Sequence, residues 1–319
     1  MTTYIIRRLI QAIFVLIIVT LIVFFIIRLL PGDPIIIYVA QSAQLEAMPP
    51  EMIDQLRAKF GLDKPIMVQY ANWMLGILQG DFGTSIFYHE NVGKLMAERF
   101  PVTAHIGVLA LIVGAVLGLL AGLLAAIRRG KWVDKVITPL TYIGITIPVF
   151  FIAVLMIYFF GLKLGWLPIY GYTSPLKDFW LSTRQLVMPV TCMAVFGMAA
   201  NARQMRSAML EVIRQDYIRT AWSKGLSERV VIMRHALKNS LIPVITLMGL
   251  GVGIIFGGSV IIETIFAIPG IGRLMVSSIF AQDYVVVQAI TFVMALIILV
   301  INLIVDISYA WLDPRIRYG

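Results

Sequence analysis

Polar and apolar positions separate along this chain on a scale far longer than one turn of helix. Six stretches of 18 residues or more contain no Asp, Glu, Lys or Arg: 9–27, 106–127, 136–162, 185–202, 239–262 and 284–305. A helix needs roughly 20 predominantly apolar residues to cross the hydrocarbon core of a bilayer. Inside lipid the backbone must bond within its own segment, so each stretch is predicted to be a helix, giving six spans. The fourth is the shortest and carries Pro189, Asn201 and several small residues. That suits a helix packed against other helices rather than against lipid. The first span follows Arg7 and Arg8, as a signal peptide would. Its apolar run is longer than the roughly 7–15 residues of a signal core, and no small-residue cleavage site follows, so it is expected to remain as a membrane helix.

Two segments between spans carry a different pattern. In 28–105, Glu51 to Phe60 places Met52, Leu56 and Phe60 on one helical face. A second helix from Pro65 through Gln79 has an apolar face of Met67, Tyr70, Trp73, Met74 and Ile77, interrupted by Gly76. Such helices lie on the membrane surface or on the bundle; a packing collar and a ligand contact are both open readings. In 203–238, Glu211 to Ser223 reads as an amphipathic helix. Gly225 is a natural C-terminal cap and Ser227 a natural N-cap, with Glu228 favourable in the following first turn. A second helix then runs from about 228 into the fifth span. Contact with anionic lipid and docking onto a protein both fit this basic segment.

Composition agrees with the pattern. Of 319 residues, 60% are hydrophobic and only 13% charged, and the mean hydropathy is +0.91. A soluble domain carries about 25% charged residues, so a soluble globular enzyme, a disordered chain and a disulfide scaffold are excluded; Cys192 is the single cysteine. Charge gives the orientation. The side holding 1–8, 128–135, 203–238 and 306–319 has 16 Lys and Arg against 6 acids, and the other side has 10 against 11. The positive-inside rule makes the first side, with both termini, cytoplasmic. The isoelectric point near 9.7 therefore reflects topology and not a nucleic-acid footprint.

No G-x-x-x-x-G-K-[ST] phosphate loop and no H-E-x-x-H motif occurs. His89, His105 and His235 lie in separate regions and define no metal site, and no catalytic constellation is visible. The glycines of 249–258 read as close helix contacts rather than a nucleotide loop.

The 203–238 segment carries a resemblance. D-Y-I-R-T-A-W-S-K-G-L at 216–226, followed by R-H-A-L-K-N at 234–239, resembles the cytoplasmic loop of binding-protein-dependent ABC importer permeases. The likeness is greatest to the first-permease subunit of the dipeptide/oligopeptide/nickel branch. R-L-L-P-G-D-P at 28–34, G-L-D-K-P at 61–65 and G-D-F-G-T-S-I at 80–86 are similar to its N-terminal part. E-T-I-F-A-I-P-G-I-G-R-L at 263–274 and N-L-I-V-D-I-S-Y-A-W-L-D-P-R at 302–315 are similar to its C-terminal third. Of the general loop motif, Ala221, Gly225 and Leu237 are kept, whereas Arg219 and Thr220 replace its Glu and first Ala and Lys238 its Pro.

The resemblance implies an all-α polytopic protein of six transmembrane helices with the type I importer fold. It implies residues 1–105 as an N-terminal helix plus outer segment, 106–312 as a five-helix transmembrane domain containing the coupling loop 203–238, and 313–319 as a cytoplasmic tail. It implies a non-enzymatic permease in the bacterial or archaeal cytoplasmic membrane. The expected partners are a second, different permease, two ATP-binding subunits that hold the ATP and Mg, and an extracytoplasmic substrate-binding protein. No cofactor or metal is expected in this chain. Peptide cargo is the primary reading, nickel or another small solute the alternative, and an ATP-independent secondary transporter a remote one. The coupling residues implied are Asp216, Tyr217, Arg219, Thr220, Ala221, Lys224 and Gly225. Ionisable or polar groups within spans usually face a cavity or a partner, which makes Glu263, Asn302 and Asp306 pathway candidates. In the loop 266–283, Pro269, Gly270 and Gly272 are candidates for binding-protein contact.

Overall fold

The computed structural model describes residues 2–29, 33, 35, 36, 39 and 49–312. The Asp306 side chain and the expected tail 313–319 lie outside what is described. Twelve helices are present among the described residues, with one isolated β-bridge, Thr84 to Asn91. They are α1 Thr2–Leu29, α2 Pro50–Lys59, α3 Ile66–Leu78, α4 Val92–Ile127, α5 Trp132–Thr146, α6 Val149–Met156, α7 Phe179–Val212, α8 Asp216–Ser223, α9 Glu228–Val230, α10 Leu237–Ile265, α11 Ile271–Phe280 and α12 Tyr284–Leu312. A π-helical segment, Ile157–Lys163, prolongs α6, and another, Val231–Ala236, joins α9 to α10.

Five of the described helices are long and apolar enough to cross a membrane, or six if one bent pair is a single broken span. That pair corrects the third expected span. Residues 136–162 do not form one rod; α5 and the helix from Val149 to Lys163 meet at 105°. Ile147 and Pro148 are both extended, with ψ of 128° and 134°. Pro148 has no N–H for the preceding turn, and its ring drives Ile147 out of the helical region.

The chain divides into two compact units. The first contains residues 1–102 and 269–300. Here α3 docks on the end of α1 through aromatic packing: Phe24 meets Tyr70 edge-on at 5.2 Å and lies 6.0 Å from Trp73. Arg28 stacks over Phe24 at 3.4 Å and donates twice to Gln69 Oε1, at 3.1 and 2.9 Å. The α3 helix starts and stops as expected, but Met67 is exposed and the inward face is Tyr70, Trp73, Met74 and Ile77. In α2, Ile53 rather than Met52 joins Leu56 and Phe60 in packing, against Ile35, Val39 and Ile86. Position 53 lies three residues from 56 and seven from 60, which keeps all three on one stripe.

The second unit contains 103–268 and the described residues after 300. Its centre is α7, which packs on α5, α6 and α10. The expectation of a helix buried among helices holds, because 56% of its most apolar window is inside. The close approach comes from α4. A Cβ on Gly118 would stand 2.6 Å from the Met198 carbonyl oxygen, and one on Gly122 would overlap the Ala202 carbonyl oxygen. Gly114, one turn earlier, faces Ala194. This four-residue spacing of glycines lets two backbones touch. The expected contact glycines of 249–258 behave differently: Gly251 has nothing within 4 Å of where its Cβ would be, and the side chains of 254–258 lie outside the described residues.

Candidate functional site

The residues expected to couple lie on one short helix and the two positions after it. The sequence reading made Glu211 to Ser223 continuous, but the structure breaks it. Residues 203–212 continue α7, Gln215 is extended with ψ of 148°, and α8 begins at Asp216. Asp216 in the first turn is favourable at the positive end of the helix dipole. At the other end Gly225 has φ +77°, and its N–H donates to the Trp222 carbonyl at 2.9 Å. This left-handed position is costly for any side chain with a Cβ. Ser227 takes the next N-cap position by backbone geometry alone, without a side-chain bond.

Helix α8 has two faces. Ile218 and Ala221 are buried with Ala126, Met205, Met209, Val231, Ile232, Ala236 and Val244. They anchor the helix to α7 and to the π-turn before α10. Ala221 therefore supports the surface from beneath and is not available to a partner. The other face exposes Tyr217, Arg219, Thr220 and Trp222, with Lys224 at its end. Asn239 Nδ2 donates to the Tyr217 hydroxyl at 2.7 Å, tying α8 to α10. Arg219 and Asp216 pair loosely at 3.6 Å and both are exposed. Such a pair holds little energy and leaves both charges available. Leu226, Val230 and Met233 extend the exposed apolar surface beyond Gly225.

A second constellation, between α5 and α7, escaped the sequence reading. Arg206 of α7 grips Asp134 of α5 in a two-pronged pair, at 2.6 and 2.9 Å. The Gly130 N–H and the Thr138 hydroxyl also donate to Asp134, at 3.0 and 2.9 Å. Asp134 is buried and fully engaged. The signal was the acid directly after Trp132-Val133, at the first turn of a helix.

The remaining candidates are dispersed. Glu263, near the end of α10, is 1% exposed and accepts from the buried Thr103 hydroxyl at 2.7 Å. Asn302 lies exposed on α12. Nearby in the chain order of the same unit, the Tyr172 hydroxyl lies 3.1 Å from His105 Nδ1, and burial pushes the Tyr172 phenol up. The segment expected as the loop 266–283 is mostly the helix α11, and it buries Gly270 and Gly272. Their small size serves packing at the helix start, and the exposed positions are Arg273, Ser277, Ile279 and Phe280. Asp283 is fully buried and accepts from the Ser85 hydroxyl and from the Phe87 N–H at 3.1 Å. It also caps α12 through the Val286 N–H at 3.4 Å. An acid just before an apolar run is an N-cap signal legible in the sequence.

Comparison with known proteins defines the class. The model of the binding-protein-dependent transport system inner membrane component matches residues 118–318, and the model of the N-terminal part of such membrane components matches 1–107. A Brucella abortus (strain 2308) protein named for a peptide transport system permease is 41% identical over 322 residues, covering 100% of both chains. The glutathione transport system permease protein of Salmonella typhi is 37% identical over 318 residues, again covering 100% of both. Among solved structures, the MetNI methionine ABC transporter matches with a TM-score of 0.53 at 17% identity, covering 69% of this chain and 96% of that one. An amino acid ABC transporter matches with a TM-score of 0.51 at 16% identity, covering 68% and 94%. The chain belongs to the family of binding-protein-dependent transport system inner membrane components. It is a multi-pass permease subunit of an ABC importer, with the type I fold.

Proposed function

We propose that this chain forms half of the translocation pathway of an ATP-driven peptide importer. The single observation that carries the coupling role is α8: eight residues anchored by Ile218 and Ala221, exposing Tyr217, Arg219, Thr220 and Trp222, and ended by Gly225. A rigid amphipathic projection of this kind suits docking into a cleft on an ATP-binding subunit. Two such subunits hold ATP and Mg, and their closure moves α8, which moves α7 and α10 through the shared core. This chain itself holds no cofactor and hydrolyses nothing. Charge asymmetry supports α8 and both termini on the cytoplasmic side.

Peptide cargo is supported by the names of relatives that match over the whole chain. A second, different permease completes the pathway, and a soluble binding protein delivers cargo from outside. On α11 the contact for that protein shifts from Gly270 and Gly272 to Arg273, Ile279 and Phe280, with Pro269 retained. Glu263 and Asn302 remain the pathway candidates among the described residues, and Asp306 a third on sequence grounds. Residues 1–105 serve as an N-terminal transmembrane helix plus outer segment, 106–312 as the five-helix transmembrane domain and 313–319 as a cytoplasmic tail.

The test is transport of labelled dipeptides and oligopeptides by the full assembly in proteoliposomes. ATP-dependent uptake that requires the binding protein supports the reading. Uptake driven by an ion gradient without ATP overturns it.

A further inference from the structure

The first unit contains a cavity of about 520 Å³ whose lining includes several hydrogen-bond donors. Arg28, Lys59, Trp73, Gln288 and Asp81 all line it. Two of the donors are orphaned: Trp73 Nε1 and Gln288 Nε2 are buried and have no hydrogen-bond partner. Gln288 is only 3% exposed. A buried N–H without an acceptor is costly, so two in one cavity need an explanation.

The charge points the same way. Among the described residues Arg28 donates to neutral acceptors, Gln69 Oε1 and the Phe24 carbonyl, and to no carboxylate. The Gln69 amide is fixed in turn, because its Nε2 donates to the Leu62 and Lys64 carbonyls at 3.3 and 2.7 Å. Its oxygen is therefore turned towards the guanidinium by the backbone and not by chance. The acid in the lining, Asp81, accepts from the Gly83 N–H at 2.9 Å and is not paired with Arg28. Among the described residues no carboxylate is paired with the guanidinium, and two residues with unused donors line the same cavity. Arg28 also stands in the last turn of an apolar span, where a side chain reaches the membrane interface.

We propose that this cavity is an oxyanion site, holding a phosphate or carboxylate group with Arg28 as the counter-charge and the Trp73 and Gln288 N–H groups as donors. The group belongs either to a phospholipid headgroup or to a free solute. The site is independent of the coupling surface on α8 and does not depend on the cargo reading.

The experiment uses the full chain with its co-expressed partners in detergent, titrated calorimetrically with three probes. These are inorganic phosphate, a tripeptide with a free or an amidated C-terminus, and short-chain phosphatidylglycerol. Saturable binding of phosphate or of the free-acid tripeptide alone assigns the site to a solute; binding of phosphatidylglycerol alone assigns it to lipid. Loss of one donor to a charged acceptor should weaken binding by about tenfold or more. Trp73→Phe keeps an aromatic ring but removes the N–H with the rest of the pyrrole half, so it should show this loss while the assembly still elutes as the folded species in size-exclusion chromatography. Arg28→Gln should abolish saturation. Absence of saturable binding for all three probes, or equal affinity in wild type and Trp73→Phe, overturns the proposal.

Discussion

At the scale of single residues, buried charge is the sharpest determinant. Asp134 takes four donors, two of them from Arg206. Asp134→Ala leaves the guanidinium without its counter-charge against the helix core. Breaking such a pair costs on the order of 3 kcal/mol, so a clear fall in the thermal midpoint of the purified assembly is expected. A midpoint within a degree of wild type would show the pair to be unimportant. Ile218 is fully buried at the root of α8. Ile218→Ala removes atoms that cannot be replaced by water, at a cost of roughly 2–4 kcal/mol. Because the cost falls on one short helix, it should appear as faster hydrogen exchange across 216–223 and weaker retention of ATP-binding subunits. Unchanged exchange there would mean the anchor lies elsewhere.

At the scale of elements, two glycine devices do different things. Gly225 is a turn device, needed for φ +77° and with free space around its Cβ position. Gly225→Val should leave the chain in the membrane but uncouple ATP hydrolysis from uptake; wild-type coupled uptake would refute the lever role of α8. Gly118 and Gly122 are contact devices, needed because the α7 backbone lies where their Cβ would be. Gly122→Leu should drive α4 from α7 and strongly reduce the folded yield, read by size-exclusion chromatography of the solubilised protein. Prolines show the same dependence on surroundings. Pro139, Pro189 and Pro243 sit inside helices, whereas Pro148 starts one after a 105° bend. Neighbouring helices can re-satisfy the carbonyl a proline frees.

At the scale of the whole molecule, this chain is built to be a part. Its family is defined by dependence on other components. Isolation at native expression is expected to bring down a second, different permease and phosphate-loop ATPases. A lone chain, or a homo-oligomer without ATPases, would contradict the heterodimeric importer.

The linear pattern by itself determined the helical membrane class, the approximate spans and the α8–Gly225–α9 bend. Each depends on local physics: backbone satisfaction in lipid, dipole and capping preferences, and the left-handed turn that glycine tolerates. Only the tertiary structure decided which face of α2 turns inward, where 136–162 bends, and that Ala221, Gly270 and Gly272 are buried. It also joined Asp134 to Arg206 across 72 positions, Ser85 to Asp283 across 198, and Thr103 to Glu263 across 160. Such pairs leave no periodic trace in a sequence, because an isolated acid or serine looks the same whether its partner is water or a buried side chain of a distant helix.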